Sequence, residues 1–139
     1  MNGLVLDASM ALAWCFADES SEVTDHVLAQ VQAEGAVVPD LWDLEVGNVF
    51  VVAERRGRVS QADTGRMLAL LESLPIETAD DHARAIDLVP LARAHGLSVY
   101  DASYLHTAMV QGLPLATKDA ALADAARAVG VPVVGSPPA

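Results

Sequence analysis

Short apolar runs alternate with longer amphipathic stretches along the whole chain, and the alternation predicts strands and helices in turn. GLVL (3–6) is an unbroken apolar run followed by Asp7-Ala8-Ser9 and a helical pattern, which reads as a buried strand turning into a helix. Ser20-Ser21-Glu22 open a second amphipathic helix ending near Gly35, and AVVP (36–39) predicts a second strand. Asp40 is expected to cap a helix over 40–57, which Gly57 terminates. Ser60 opens a helix through about Ser73, Pro75–Thr78 predicts a third strand, and Asp80-Asp81 are expected to begin a helix running to His95-Gly96. A helix from close to Tyr100 to near Gly112, a strand at 114–117, a helix from Lys118 to Val129 and a short strand at Val131–Val134 complete the pattern. Strands separated by helices predict a three-layer α/β/α fold whose central, mostly parallel sheet has four to five strands covered on both faces. Residues 1–134 read as a single domain and 135–139 as a plain tail, with no internal repeat or linker.

Composition narrows this picture. The 139 residues are 53% hydrophobic but only 4% aromatic, so the core must be built mainly from Ala, Val and Leu, which suits helices packed on a small sheet. The net charge is −11, with 19 acids against 8 bases, so bulk charge gives no non-specific attraction to nucleic acid, and any such role needs a local site. The single cysteine, Cys15, lies in the apolar run Leu12-Ala13-Trp14-Cys15-Phe16, which excludes an internal disulfide and predicts a buried, reduced thiol. No basic residue precedes the first apolar stretch, and Asp7 and Asp18 interrupt it. Neither a signal peptide nor a membrane span is expected, and a cytoplasmic protein fits.

Against that apolar background a few carboxylates stand in costly places. On a helical wheel the 40–57 helix puts Leu41, Trp42, Val49, Val52 and Ala53 on one face and Asp43 with Glu54 on the other, and Glu45 falls on the apolar face. An ionised carboxylate there costs several kcal/mol, about 3–5 when a buried partner is missing, unless it is paired, hydrogen-bonded or bound to a metal. A salt bridge or a protonated acid would also satisfy it. Asp101 shares its helix face with Tyr100 and Tyr104, while Ser103 and His106 fall on the polar side. Asp101 alone is explained by the helix dipole, and Asp7 or Asp119 alone by N-capping after a strand.

Together the acids ask for more. Ligands in open α/β sheets gather at the carboxyl ends of strands, where Asp7 and Asp119 sit. With Glu45 and Asp101 they would make four carboxylates aimed at one region of an acidic protein, repelling one another and raising their own pKa values. A divalent cation relieves that repulsion. Mg²⁺ and Mn²⁺ prefer oxygen ligands and need only a few carboxylates, and such a site suits in-line hydrolysis of a phosphodiester. Zinc fits poorly, because Cys15 and the scattered His26, His82, His95 and His106 have no ligand spacing.

These residues resemble a known family, the PIN-domain ribonucleases, and within it the VapC-type toxins of bacterial toxin–antitoxin pairs. GLVLDASMALAWCFADES is similar to the family's first strand and helix, with its first acid at Asp7. PDLWDLEVGNVF resembles the segment of the second acid, Glu45, with Asn48 one turn later, LSVYDASYLHTA that of the third, Asp101, and PLATKDAALADAA that of the fourth, Asp119, with Thr117 as its hydroxyl neighbour. The resemblance covers nearly the whole chain. It implies a Mg²⁺- or Mn²⁺-dependent endoribonuclease acting on RNA, commonly a homodimer, held inactive by a cognate VapB-like antitoxin whose segment covers the site. Asp124 is the nearest counterpart of a further acid found in some relatives.

Supporting roles follow from chemistry as well. Ser9 and Thr117 carry hydroxyls able to bond a carboxylate, a water or a phosphate oxygen, Ser9 being equally suited to cap a helix. Asn48 lies beside Glu45 on the wheel and is a candidate to orient it, with surface packing the alternative. Arg55-Arg56-Gly57-Arg58 hold three of the eight basic residues at a helix end, where they complement the helix C-terminus or meet RNA phosphates. Trp14 and Trp42 read as core or dimer packing, and Asp18-Glu19 as the start of a solvated helix. Two other functions share this architecture. A phosphoacceptor receiver needs paired acids after its first strand, whereas Ala8-Ser9 follow Asp7; a non-catalytic PIN-like binding module would not need the complete acid set.

Overall fold

Leu4, Val5 and Leu6 are fully buried, and they form the central strand of a five-stranded parallel sheet. A computed structural model describes residues 3–135. The elements run β1 (Leu4–Leu6), α1 (Ala8–Ala13), a 3₁₀ turn (Ala17–Glu19), α2 (Glu22–Glu34), β2 (Ala36–Val38), α3 (Leu41–Arg55) and α4 (Gln61–Ser73). They continue with β3 (Ile76–Thr78), α5 (Ala85–His95), α6 (Val99–Gln111), β4 (Leu115–Ala116), α7 (Ala120–Ala128) and β5 (Val133–Val134). The strand order is β3-β2-β1-β4-β5 with every pair parallel, so the chain winds outward from β1 first on one side and then on the other. This is the expected three-layer α/β/α arrangement, and its reversal of winding leaves a crevice at the carboxyl ends of β1 and β4.

The helix ends follow the local chemistry in most places. Ser21 and Ser60 each form a capping box, and Ser98 caps α6 by accepting from the Asp101 N–H at 3.0 Å. Gly57, at φ 71°, ends α3, with the Arg58 N–H donating to the Ala53 carbonyl at 2.9 Å. One expected start fails and another lacks its capping bond, for the same reason. Asp40 stands at the N-cap position of α3 as expected but makes no side-chain cap bond; its backbone is already helical and its carboxylate lies 3.1 Å from His82 Nδ1. Asp80 and Asp81 do not begin α5, which starts only at Ala85, because Asp81 is taken by α6: its Oδ2 lies 3.0 Å from His106 Nδ1 and accepts from the Thr107 hydroxyl at 3.3 Å. Tertiary partners thus outbid the local cap. Ser103 is buried and His106 largely so, although the wheel had put both on a polar side.

One large apolar cluster joins the sheet to α1, α2, α3, α6 and α7. Cys15 is buried in it, and burial pushes its thiol up to about 11, so it stays protonated. Trp14 donates its indole N–H to the Thr24 carbonyl at 2.8 Å, and Trp42 is buried on α3; both are packing residues. Of the presumed tail, Gly135 is packed where a β-carbon would collide with the Met10 side chain, and 136–139 lie outside the described residues. Among the described residues no helix is long and apolar enough to cross a membrane.

Candidate active site

The register of the sheet builds the site. Leu6 pairs with Ala116, so the next residue on each strand, Asp7 and Thr117, are neighbours past the strand ends. The Asp7 N–H donates to the Ala116 carbonyl at 3.0 Å, which fixes the backbone. Asp7 is 6% exposed and its carboxylate makes no N-cap bond to α1; its Oδ2 accepts from Ser9 Oγ at 2.7 Å and Thr117 Oγ1 at 2.6 Å. The hydroxyls are themselves wired onward, Ser9 Oγ accepting from the Lys118 N–H at 3.2 Å and Thr117 Oγ1 from the Asp119 N–H at 3.0 Å. Ser9 is therefore a ligand of the acid and not a helix cap. Asp119 does cap: its Oδ1 accepts from the Leu122 N–H at 2.9 Å at the start of α7.

The other two acids arrive from helices. Glu45 projects from α3, half-buried, and its Oε1 accepts from the hydroxyl of Tyr104, a fully buried residue of α6. Asp101 stands in the first turn of α6, where Ser98 Oγ accepts from its backbone N–H at 3.0 Å and also bonds its carboxylate.

These carboxylates feel one another. Burial raises the Asp7 pKa against the pull of its two hydroxyls, and the Asp119 charge raises it further. Burial likewise raises Glu45, with the Tyr104 bond opposing and the Asp7 charge adding. Asp101 is pushed up to about 6, first by burial and then by the charges of Asp119, Asp7 and Glu45. Four acids from β1, α3, α6 and the β4–α7 turn thus share one field, as their expected repulsion requires. Tyr104 is held neutral by burial and by its carboxylate partner.

Not every expected residue joins them. Asn48 is exposed on α3, and Glu45 is oriented by Tyr104 instead. Asp124 has a side chain 71% exposed that pairs with Arg127 one turn along α7. The wheel already placed Tyr104 on the face of Asp101, and a buried phenol needs an acceptor, which was the available signal for its role.

The donor set is all oxygen, with no thiolate or imidazole among the four acids, and suits a hard cation. Among the described residues no group of three His, Cys, Asp or Glu side chains is placed to hold a metal ion together. Mg²⁺ does not demand such a group, because it keeps several waters and is held through one or two carboxylates plus substrate oxygens. Substituting Glu45 tests the electrostatics. Glu45→Gln is expected to leave the melting temperature of the cation-free protein unchanged or raised, since it removes a charge that burial and Asp7 already disfavour. A drop of many degrees in a thermal melt would instead mark Glu45 as one half of a structural pair.

Comparison with known proteins gives the family of the chain. The model of the PIN domain family matches residues 4–128. Ribonuclease VapC3 of Pyrobaculum aerophilum is 33% identical over 123 residues, covering 87% of this chain and 92% of the relative. Among solved structures, that of PAE2754 from Pyrobaculum aerophilum has a TM-score of 0.73 at 27% identity, covering 95% of this chain and 89% of that one. With the matched region spanning every strand up to β4 and each of the four acids, the chain belongs to the PIN-domain family, among its VapC-type members.

Proposed function

We propose that this protein is a Mg²⁺- or Mn²⁺-dependent endoribonuclease that hydrolyses RNA phosphodiester bonds, with Asp7, Glu45, Asp101 and Asp119 as its catalytic, cation-holding acids. The observation that carries this reading is the shared field of the four carboxylates at the winding reversal of the sheet. A bound divalent cation would neutralise that field, polarise a phosphodiester and favour attack by water. The chain's own residues prepare for it. Ser9 and Thr117 fix one oxygen of the Asp7 carboxylate, Tyr104 fixes Glu45, and the α7 N-terminus fixes Asp119, so these acids are oriented before any ligand arrives. Asp101 is held by a side-chain hydrogen bond to Ser98 at the start of its own helix.

The relative named Ribonuclease VapC3 supports RNA as substrate, and its VapC name supports a role as the toxin of a toxin–antitoxin pair. In this reading the partners are a cognate VapB-like antitoxin, whose segment covers the acids, and a second copy of the chain in a homodimer, in the cytoplasm. The test uses protein purified free of any partner, incubated with structured RNAs in Mg²⁺, Mn²⁺ or EDTA. Internal cleavage is expected with either cation and none in EDTA. Cleavage that persists in EDTA overturns the proposal, and RNA that is bound but never cut points to a binding module.

A further inference from the structure

We propose that Lys118 and Arg58, drawn together around Glu19 beside the acid cluster, form a strip that binds the backbone phosphates of single-stranded RNA, and that Asp18 and Glu19 occupy this strip in the RNA-free protein. The identity of the polyanion rests on the ribonuclease reading above; the strip itself rests on the contacts of these residues.

A protein of net charge −11 with four clustered carboxylates repels a polyanion unless cations stand nearby, and it has only eight basic residues to supply them. Lys118 is the sole lysine, and the chain places it between Thr117, which bonds Asp7, and Asp119. Its backbone N–H donates to Ser9 Oγ at 3.2 Å, so its Cα is fixed relative to the acids while its side chain is exposed and donates through Nζ to the Glu19 carbonyl at 3.3 Å. Arg58 reaches the same residue from the end of α3. Its Nη2 donates to Glu19 Oε2 at 3.2 Å and to the Asp18 carboxylate at 2.9 and 3.1 Å. The guanidinium lies 4.1 Å from the centroid of Phe16, whose ring stacks on Phe50, so the cation has a firm platform.

Two of the eight bases therefore converge on one short 3₁₀ turn next to the acids. Exposed ion pairs of this kind are weak, and a phosphate offers a guanidinium the same paired oxygens as Asp18, so RNA can displace the acids without disturbing the fold. The arrangement explains how a strongly acidic chain can accept RNA: the cations are few but gathered where the backbone must pass. It also leaves Arg58 a role beyond complementing the end of α3.

Salt dependence of binding tests the strip without reference to cleavage. Fluorescence anisotropy of a labelled oligouridylate is measured in EDTA over a range of salt concentrations, with Lys118→Gln, Arg58→Gln, Glu19→Gln and, as a control for overall charge, Arg93→Gln on α5. Each of Lys118→Gln and Arg58→Gln is expected to reduce the slope of log K against log salt by about 0.7, the loss of one single-strand phosphate contact. Glu19→Gln is expected to tighten binding by up to about fivefold, the worth of a released surface pair. Arg93→Gln is expected to leave the slope unchanged. Should Arg58→Gln fail to fold, the exposed Lys118 carries the test. An unchanged slope in Lys118→Gln, an equal fall in Arg93→Gln, or no binding by the wild-type chain overturns the strip. Cleavage in Mg²⁺ with unchanged slopes removes the strip but not the nuclease; reduced slopes without cleavage do the reverse.

Discussion

Asp7→Asn is expected to lower kcat/KM for RNA by about 10³-fold while leaving the fold intact. The size follows from charge stabilisation by a held cation, worth several kcal/mol of transition-state energy at about 1.4 kcal/mol per tenfold. The selectivity follows from the way Asp7 is bonded. Ser9 and Thr117 both donate to the same oxygen, Oδ2, so an asparagine that places its amide oxygen there keeps both bonds and loses only the charge. That charge is one the folded protein disfavours, since burial and Asp119 raise the Asp7 pKa. The variant should therefore melt at the wild-type temperature or above it, and should lose the stabilisation that Mg²⁺ gives the wild-type chain. The check is a pair of measurements on one sample, steady-state cleavage and a thermal melt with and without Mg²⁺. Cleavage within tenfold of wild type would mean that Asp7 is not part of the catalytic machinery.

How much of this site can be read in the sequence depends on whether a residue's partner is local. Asp7 and Asp119 are legible because an apolar run followed by an acid marks a strand end, and parallel strands put such ends together. Glu45 is legible because a helical wheel exposes a carboxylate on an apolar face. The partner of Glu45 is another matter. Asn48, one turn away, is adjacent on the wheel, yet adjacency does not give direction: Asn48 faces solvent, and the hydroxyl that binds Glu45 comes from Tyr104, 59 residues later. The expected cap bond at Asp40 and the expected helix start at Asp80-Asp81 fail likewise, because His82, His106 and Thr107 reach those loops from distant points of the chain. Arg58 looks like a helix-end cation by local rules and becomes the counter-ion of Asp18 and Glu19 only once the chain has folded back 40 residues. Local chemistry thus yields the strands, most caps and the four acids, while the network that orients the acids is tertiary.

The cation-free protein should lose stability as the pH rises from about 4.5 to 7, and Mg²⁺ should restore it only at the upper end. Asp7, Glu45 and Asp101 all have raised pKa values in the folded state, Asp101 at about 6. Below the ordinary carboxylate range, near 4, folded and unfolded chains are equally protonated and these groups cost nothing. Between that range and the folded values the native state binds more protons than the unfolded chain, so the slope of unfolding free energy against pH is negative. Asp101 is partly solvated, and screening limits its share to about 1 kcal/mol, roughly 4 °C in melting temperature for a chain of this size. Exposed groups do not reverse the sign. Asp63 has a lowered pKa and titrates below this window, and His82, raised by Asp40, adds in the same direction. Asp101→Asn separates the cluster from such background, because it should flatten the fall without lowering the melting temperature at pH 7. At pH 7, Mg²⁺ binding to the ionised acids should raise the melting temperature progressively with concentration, as expected for a ligand of the native state alone. At pH 4.5 Asp101 is largely protonated, and the rise should be smaller. A melting temperature that climbs with pH in EDTA, or that ignores Mg²⁺ at pH 7, would mean that the acids are stabilised by the protein itself and have no need of a cation.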